Sequence, residues 1–180
     1  MTQLPSIAQI GEPILRQKAQ AITDIRQPEI RELIELLTKR AIASKGVGIA
    51  APQIFQSVRL FIISSHPSDR YPQAPMMKPI AMINPRILSH GTETIKDWEG
   101  CLSIPDTRGL VSRYRSIEVE YTTKDGILRQ EVLTDFVARI FQHELDHLNG
   151  ILFIDHVPNR EDLHTEAALL HKSKLRRGET

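Results

Sequence analysis

Apolar residues recur along this chain with two different periods, and the changes of period mark where helices give way to strands. After Pro28, which suits the first position of a helix, Ile30, Leu33, Ile34, Leu37 and Ala41 return at helical spacing, and Glu35 stands one turn before Lys39, where the two can pair. That pattern predicts a core helix. From Val58 to Ser64, Ile80 to Leu88 and Arg115 to Thr123 the residues read as strands, the last with Ile117, Val119 and Tyr121 alternating with polar positions. Lys124-Asp125-Gly126 then reads as the turn of a hairpin into Ile127 to Leu133. Helical spacing returns over residues 135 to 149, with Thr134 or Asp135 as N-cap and Gly150 just past the end. A final helix is expected from Asn159 to Arg177, capped by Asn159. The order helix, strands, helix predicts an α+β fold in one domain spanning residues 1–180, with antiparallel or mixed sheets packed around the helix of residues 135–149 and further helices toward both ends.

The helix of residues 135–149 is unusual in what its apolar face carries. At about 100° per residue, Phe136, Ile140, His143 and His147 form one stripe, with Val137, Phe141, Glu144 and Leu148 alongside it. Ala138, Arg139, Gln142, Asp146 and Asn149 fall on the other side, expected to be the outer one. Two histidines one turn apart aim both imidazoles at one point, and Glu144 brings a carboxylate beside them. This is the pattern of a metal site with its own base.

A catalytic site of this kind usually takes three protein ligands and leaves one position open, so the chain must supply a third. A histidine six residues beyond the second would be one solution, but Phe153 stands there. Glu166 lies at the distance at which thermolysin-like peptidases place a glutamate. Cys101 is the only cysteine in the chain, within Trp98-Glu99-Gly100-Cys101-Leu102-Ser103-Ile104-Pro105, and is the remaining candidate.

Three segments, Gly46-Val47-Gly48-Ile49-Ala50-Ala51-Pro52-Gln53, Glu99-Gly100-Cys101-Leu102-Ser103 and Gln142-His143-Glu144-Leu145-Asp146-His147-Leu148, resemble in their order the three signature motifs of peptide deformylases. The resemblance runs over most of the chain, including the opening Gly11-Glu12-Pro13-Ile14-Leu15-Arg16 and the Asn84-Pro85 step. It implies that Cys101, His143 and His147 bind the metal, that Glu144 is the acid/base, and that Gln53 and the backbone N–H of Leu102 hold the oxyanion. It also implies an Fe(II) cofactor, with zinc, nickel or cobalt as substitutes, and removal of the formyl group from the N-terminal methionine of new polypeptides. The substrate region would comprise Gly46, Val47, Gly48, Ile49, Glu99, Gly100, Arg108, Arg139 and Ile140. Gly46 has a second, structural reading as the stop of the preceding helix, and Arg108 and Arg139 a second reading as solvated charges. Small residues around Gly48 would let a peptide backbone pair as an added strand. Residues 64 to 80, with four prolines, read as a variable loop.

Composition narrows the remaining choices. With 180 residues, 41% of them hydrophobic, the chain can build one core, and a net charge of +1 gives no general attraction to DNA. A lone cysteine excludes an internal disulfide framework and suits a reducing compartment. The first residues resemble neither a secretory signal nor a transit peptide, and no run reaches membrane-spanning length, so the expected address is the bacterial cytoplasm, an organelle origin being also compatible. The expected partners are N-formyl-methionyl peptides and nascent chains, with a weak ribosome contact through the basic end Lys172-Ser173-Lys174-Leu175-Arg176-Arg177.

Overall fold

The computed structural model describes residues 4–68 and 70–169. Helix α1 (Pro28–Ala43) leads into strands β1 (Gly48–Ala50), β2 (Leu60–Ile63) and β3 (Ile80–His90), then β4 (Thr94–Cys101), β5 (Ile104–Tyr114), β6 (Ser116–Thr122) and β7 (Leu128–Thr134). Helix α2 (Asp135–Leu148) and a short strand β8 (Leu163–Thr165) follow. A five-stranded sheet has the order β1-β2-β3-β6-β7 and a three-stranded one the order β4-β5-β8, with every pairing between these strands antiparallel. The α+β architecture agrees with the sequence reading.

Strand β2 explains how the layers assemble. All four of its residues are buried because each of its faces meets a helix. Phe61 and Ile63 join the core under α2, with Met82, Val119, Ile140 and Phe141. Leu60 and Ile62 point the other way, toward Ile30, Leu37 and Ala41 of α1. A strand covered on both sides reads as a continuous apolar run, which is what residues 60–63 are. A third cluster, including Leu15, Ile104, Val111, Leu152 and Phe153, lies beneath the smaller sheet.

Helix stops fix the ends of both long helices. Gly150 adopts a left-handed backbone (φ 74), its N–H donates to His147 O and that of Ile151 to Asp146 O, which closes α2 as expected. A Cβ at Gly150 would also stand 2.7 Å from the backbone of Arg16, so no other residue fits. At α1 the expectation is corrected. Lys45, not Gly46, takes the left-handed position (φ 52), with Lys45 N donating to Ile42 O and Gly46 N to Ala41 O.

Other expectations also change. The hairpin of β4 and β5 is absent from the sequence reading, because β5 buries Arg108 and Arg113 and β4 is mostly polar and exposed. The helix expected from Asn159 is instead a 3-10 turn at Arg160–Asp162 followed by β8; the chain becomes helical only at Glu166, where Thr165 Oγ1 accepts from Ala168 N (3.2 Å). The remainder of that expected helix, with its basic end, lies outside the described residues. The supposed outer side of α2 is buried as well, including Ala138, Arg139 and Gln142. Thr134 precedes α2 without a side-chain capping bond. Among the described residues, no helix is long and apolar enough to cross a membrane.

Candidate metal centre

Cys101 ends β4, and the two-residue turn of Leu102 and Ser103 returns the chain into β5, so that Cys101 pairs with Ile104. This turn aims the thiol at α2, where His143 and His147 project from one side. Ligand atoms of Cys101, His143 and His147 all lie within 4.8 Å of one another, and Cys101 Sγ is 3.2 Å from His147 Nε2. His143 Nδ1 donates to Glu99 Oε2 (2.9 Å), which turns its Nε2 toward the centre. One sulfur and two imidazoles are a donor set suited to a borderline or soft divalent transition metal, and the residues present fit such an ion. Glu166 is not part of the cluster: it lies at the rim of the adjoining cavity, paired with Arg70 (2.5 Å).

Protonation follows from this crowding. Burial pushes the Cys101 thiol up, but positive charge on His147 and hydrogen bonds from both histidines outweigh it and hold the thiol well below its ordinary value. Burial likewise disfavours charge on His143, yet its bonds to Cys101 and Glu99 raise it well above an ordinary imidazole. Glu144 is 4% exposed, and burial, opposed by charge on the two histidines and reinforced by Cys101 and Glu99, pushes its carboxyl up to about 7. Its Oε2 has no hydrogen-bond partner among the described residues. Gly48 faces it: a Cβ there would lie 2.9 Å from Glu144 Cδ, so the strand edge must be bare at that position.

Gln53 sits in the 3-10 turn Ala51–Ile54 after β1, with Oε1 accepting from Ala50 N (2.9 Å) and Nε2 donating to Ser103 Oγ (3.1 Å) and to Cys101 Sγ (3.4 Å). The N-terminal segment ties Gln53 to the cysteine turn. Ala8 N donates to Gln53 O (2.8 Å), Ile10 N to Ser103 O (2.8 Å) and Gln9 Nε2 to Leu102 O (3.2 Å).

A cavity of about 250 Å3 opens beside these groups. Gly46, Val47 and Gly48 line one wall, Glu99, Gly100 and Leu102 the other, and Arg108, Arg139, Ile140, His143 and Glu144 also border it. Strand β1 is an edge of the larger sheet and β4 an edge of the smaller, so both walls offer unpaired backbone to the space between them. Ile49 is different: its side chain is fully buried in the core on the α1 side, facing away from the cavity.

The two arginines separate once their partners are known. Arg139 is buried, with Nη1 donating to Glu99 Oε1 (2.8 Å) and Val111 O (3.0 Å) and Nη2 to Ile95 O (2.6 Å), so it is neither a solvated charge nor free to hold a ligand. Arg108 is buried too, lies 5.2 Å from the Tyr71 ring centre and donates to the Tyr71 hydroxyl (3.0 Å). Sequence reasoning missed Tyr71, which comes from the proline-rich loop and packs on Phe136 with ring centres 4.7 Å apart. It also missed Arg113, which grips Glu99 through two bonds (2.9 and 3.0 Å) and reaches Asp146 (2.6 Å). Arg113 lies two residues from buried Val111 on the same strand face, and a charge at an inward position was the available signal.

The sequence model of polypeptide deformylases matches residues 4–162. Peptide deformylase 2 of Nostoc sp. is 54% identical over 164 residues, covering 91% of this chain and 92% of its own length. Peptide deformylase 2 of Shewanella oneidensis is 41% identical, covering 86% of this chain and 87% of its own. The Met-Ala-Ser-bound crystal structure of the Acinetobacter baumannii enzyme, of class I type b, superimposes with a TM-score of 0.85 at 40% identity, over 87% of this chain and all (100%) of that one. With this match in sequence and fold, and with a thiol, two imidazoles and a buried carboxylate brought together at one cavity, the chain belongs to the polypeptide deformylase family.

Proposed function

We propose that Cys101, His143 and His147 hold one divalent metal, Fe(II) in the working enzyme with zinc, nickel or cobalt as substitutes, and that Glu144 moves the protons. The family reaction removes the N-formyl group from the first methionine of new polypeptides and releases formate. When bound, the metal supplies positive charge that makes water acidic near neutral pH and polarises the formyl carbonyl. Glu144 accepts a proton from the attacking water and delivers it to the departing amine as the carbon–nitrogen bond breaks. Burial beside groups of both signs, which raises its carboxyl to about 7, suits it to both steps. Gln53 Nε2 and the Leu102 N–H donate to the carbonyl oxygen as it gains charge, each contributing about 3 kcal/mol.

The substrate lies as an added strand between β1 and β4, against the backbone of Gly46, Val47 and Gly48 on one side and of Gly100 on the other. Ile140, Phe136 and Tyr71 border the space for the methionine side chain. Glu99 and Arg139 serve this site from behind, through His143 and the β4–β5 backbone. Ile49 contributes backbone only. The placement of buried Glu144 opposite side-chain-free Gly48 is the observation that carries the reading.

Formate release from formyl-Met-Ala-Ser by anaerobically prepared, Fe(II)-loaded protein is the test. Glu144→Ala should keep its metal and lose about 10²- to 10⁴-fold in rate; full activity in that variant would refute the assignment of the base. Cleavage of the unformylated peptide would favour a peptidase. We place the enzyme in the bacterial cytoplasm, where its substrates are nascent chains. The basic residues of 172–177 give it a weak ribosome contact, and failure to co-sediment with ribosomes at low salt would remove that contact.

A further inference from the structure

The mouth of the cavity carries positive charge that formyl hydrolysis does not require. Arg108 is 8% exposed, its Nε has no hydrogen-bond partner among the described residues, and its only side-chain partner there is the neutral Tyr71 hydroxyl. It lies across Gly100, where a Cβ would stand 2.8 Å from Arg108 Cδ. A buried guanidinium with no carboxylate partner among the described residues is costly and marks a place where an anion is welcome. On the opposite wall is Lys45, exposed, lining the cavity and held in its left-handed position by the two bonds that close α1. No ion pair among the described residues engages Lys45, whereas Arg70 at the same rim is neutralised by Glu166. Among the described residues Asp106 is the remaining unpaired acid at the mouth, since Glu99 and Glu144 lie at the deep end.

The direction of the substrate decides what meets these cations. With the formyl group beside Glu144 and Gly48, an added strand runs outward past Gly46 to Lys45. Extended substrate advances about 3.3 Å per residue, so a chain that starts beside Gly48 carries its third residue roughly 10 Å outward, to the mouth where Lys45 stands in the turn before β1. We propose that Lys45 and Arg108 make this enzyme prefer an acidic third residue, Asp or Glu, in formyl-methionyl substrates. The proposal rests on the deformylase function and on the added-strand binding given above.

Formyl-Met-Ala-Glu, formyl-Met-Ala-Ser and formyl-Met-Ala-Lys, each extended by the same neutral residue and amidated, form the test with the metal-loaded enzyme. The expected order of kcat/KM is Glu, Ser, Lys, with about two- to fivefold between neighbours, carried by KM and shrinking as salt is raised. Lys45→Glu should invert the order, and the ratio of Glu to Lys peptides is read so that a change in overall activity does not enter. Equal values for the three peptides in the unaltered enzyme overturn the proposal without any variant, as does an order that Lys45→Glu leaves intact. Formate from none of the peptides would instead overturn the deformylase function itself, and the preference with it.

Discussion

Helices α1 and α2 pack on opposite faces of β1 and β2, yet they treat their polar residues in opposite ways. Helix α1 buries Ile30, Leu37 and Ala41 and leaves even Ile42 61% exposed, so its polar side meets water. Helix α2 is buried nearly all round, and its polar residues are held by protein. Gln142 bonds both backbone groups of Tyr114, Arg139 takes carbonyls of β4 and β5, and Asp146 joins Arg113 and His156. A helix that only fills a core can follow a simple amphipathic pattern. One that presents ligands must be fixed in rotation and height, and polar bonds with defined geometry do that where apolar packing alone would tolerate slippage.

The sharpest way to break this contrast is at the proposed ligand cluster. Cys101→Ala should lose the metal and reduce formate release to background, measured by metal content and turnover together; retained metal would place the third ligand elsewhere. Next come the buried tethers. Arg113→Met leaves Glu99 without its bidentate partner and should cost about 3–5 kcal/mol of stability in a denaturant titration, together with about 10- to 100-fold in metal affinity. Leu37→Ala in α1 should cost a comparable ~2–5 kcal/mol through its cavity, but leave metal affinity and kcat/KM per folded molecule unchanged. A loss of metal affinity in Leu37→Ala would mean that the two helices are not separable.

A smaller effect is expected in acid. Burial raises the carboxyls of Glu99 and Asp146, but bonds to His143 and Arg113 for Glu99, and to His156 and Arg113 for Asp146, win and hold both below their ordinary values of 4.5 and 3.8. The folded protein thus binds fewer protons at these sites than the unfolded chain. Their stabilisation is complete above the ordinary values and is lost progressively as pH falls below about 4.5. Denaturant titrations between neutral pH and pH ~3 should show this loss, and Arg113→Met should show less of it; equal acid sensitivity would assign the loss to other carboxylates. At the bottom of the scale, Ile42→Gln on the exposed side of α1 should change stability by no more than about 0.5 kcal/mol.

The same contrast explains what was legible in the sequence. Helix α1 was readable because Ile30, Leu37 and Ala41 obey one period, and β6 because Ile117, Val119 and Tyr121 alternate. The Gln20–Val58 bridge, the β4–β5 hairpin and β8 depend on partners distant along the chain, and their own residues give little sign of them. At the site, local spacing was enough to bring His143, Glu144 and His147 to one side of α2. The thiol of Cys101 beside them required resemblance to a family, because a lone cysteine at a strand end has no periodicity. The helical wheel put Arg139 on the outer side of α2, where it is in fact buried, because a wheel shows where a side chain points and not what lies there. Tyr71 carried no signal at all in a loop of prolines.

Residues 8–10 have a consequence for anyone who tags or trims this protein. They staple the backbone of Gln53 to the turn of Leu102 and Ser103, and so set the spacing between the two donors proposed to receive the negative charge. None of the three borders the cavity. Residues 8–10 therefore belong to the frame of the proposed site as a remote gauge of distance: a fusion that pulls them loose should leave the metal bound and the peptide held, while the reaction itself slows.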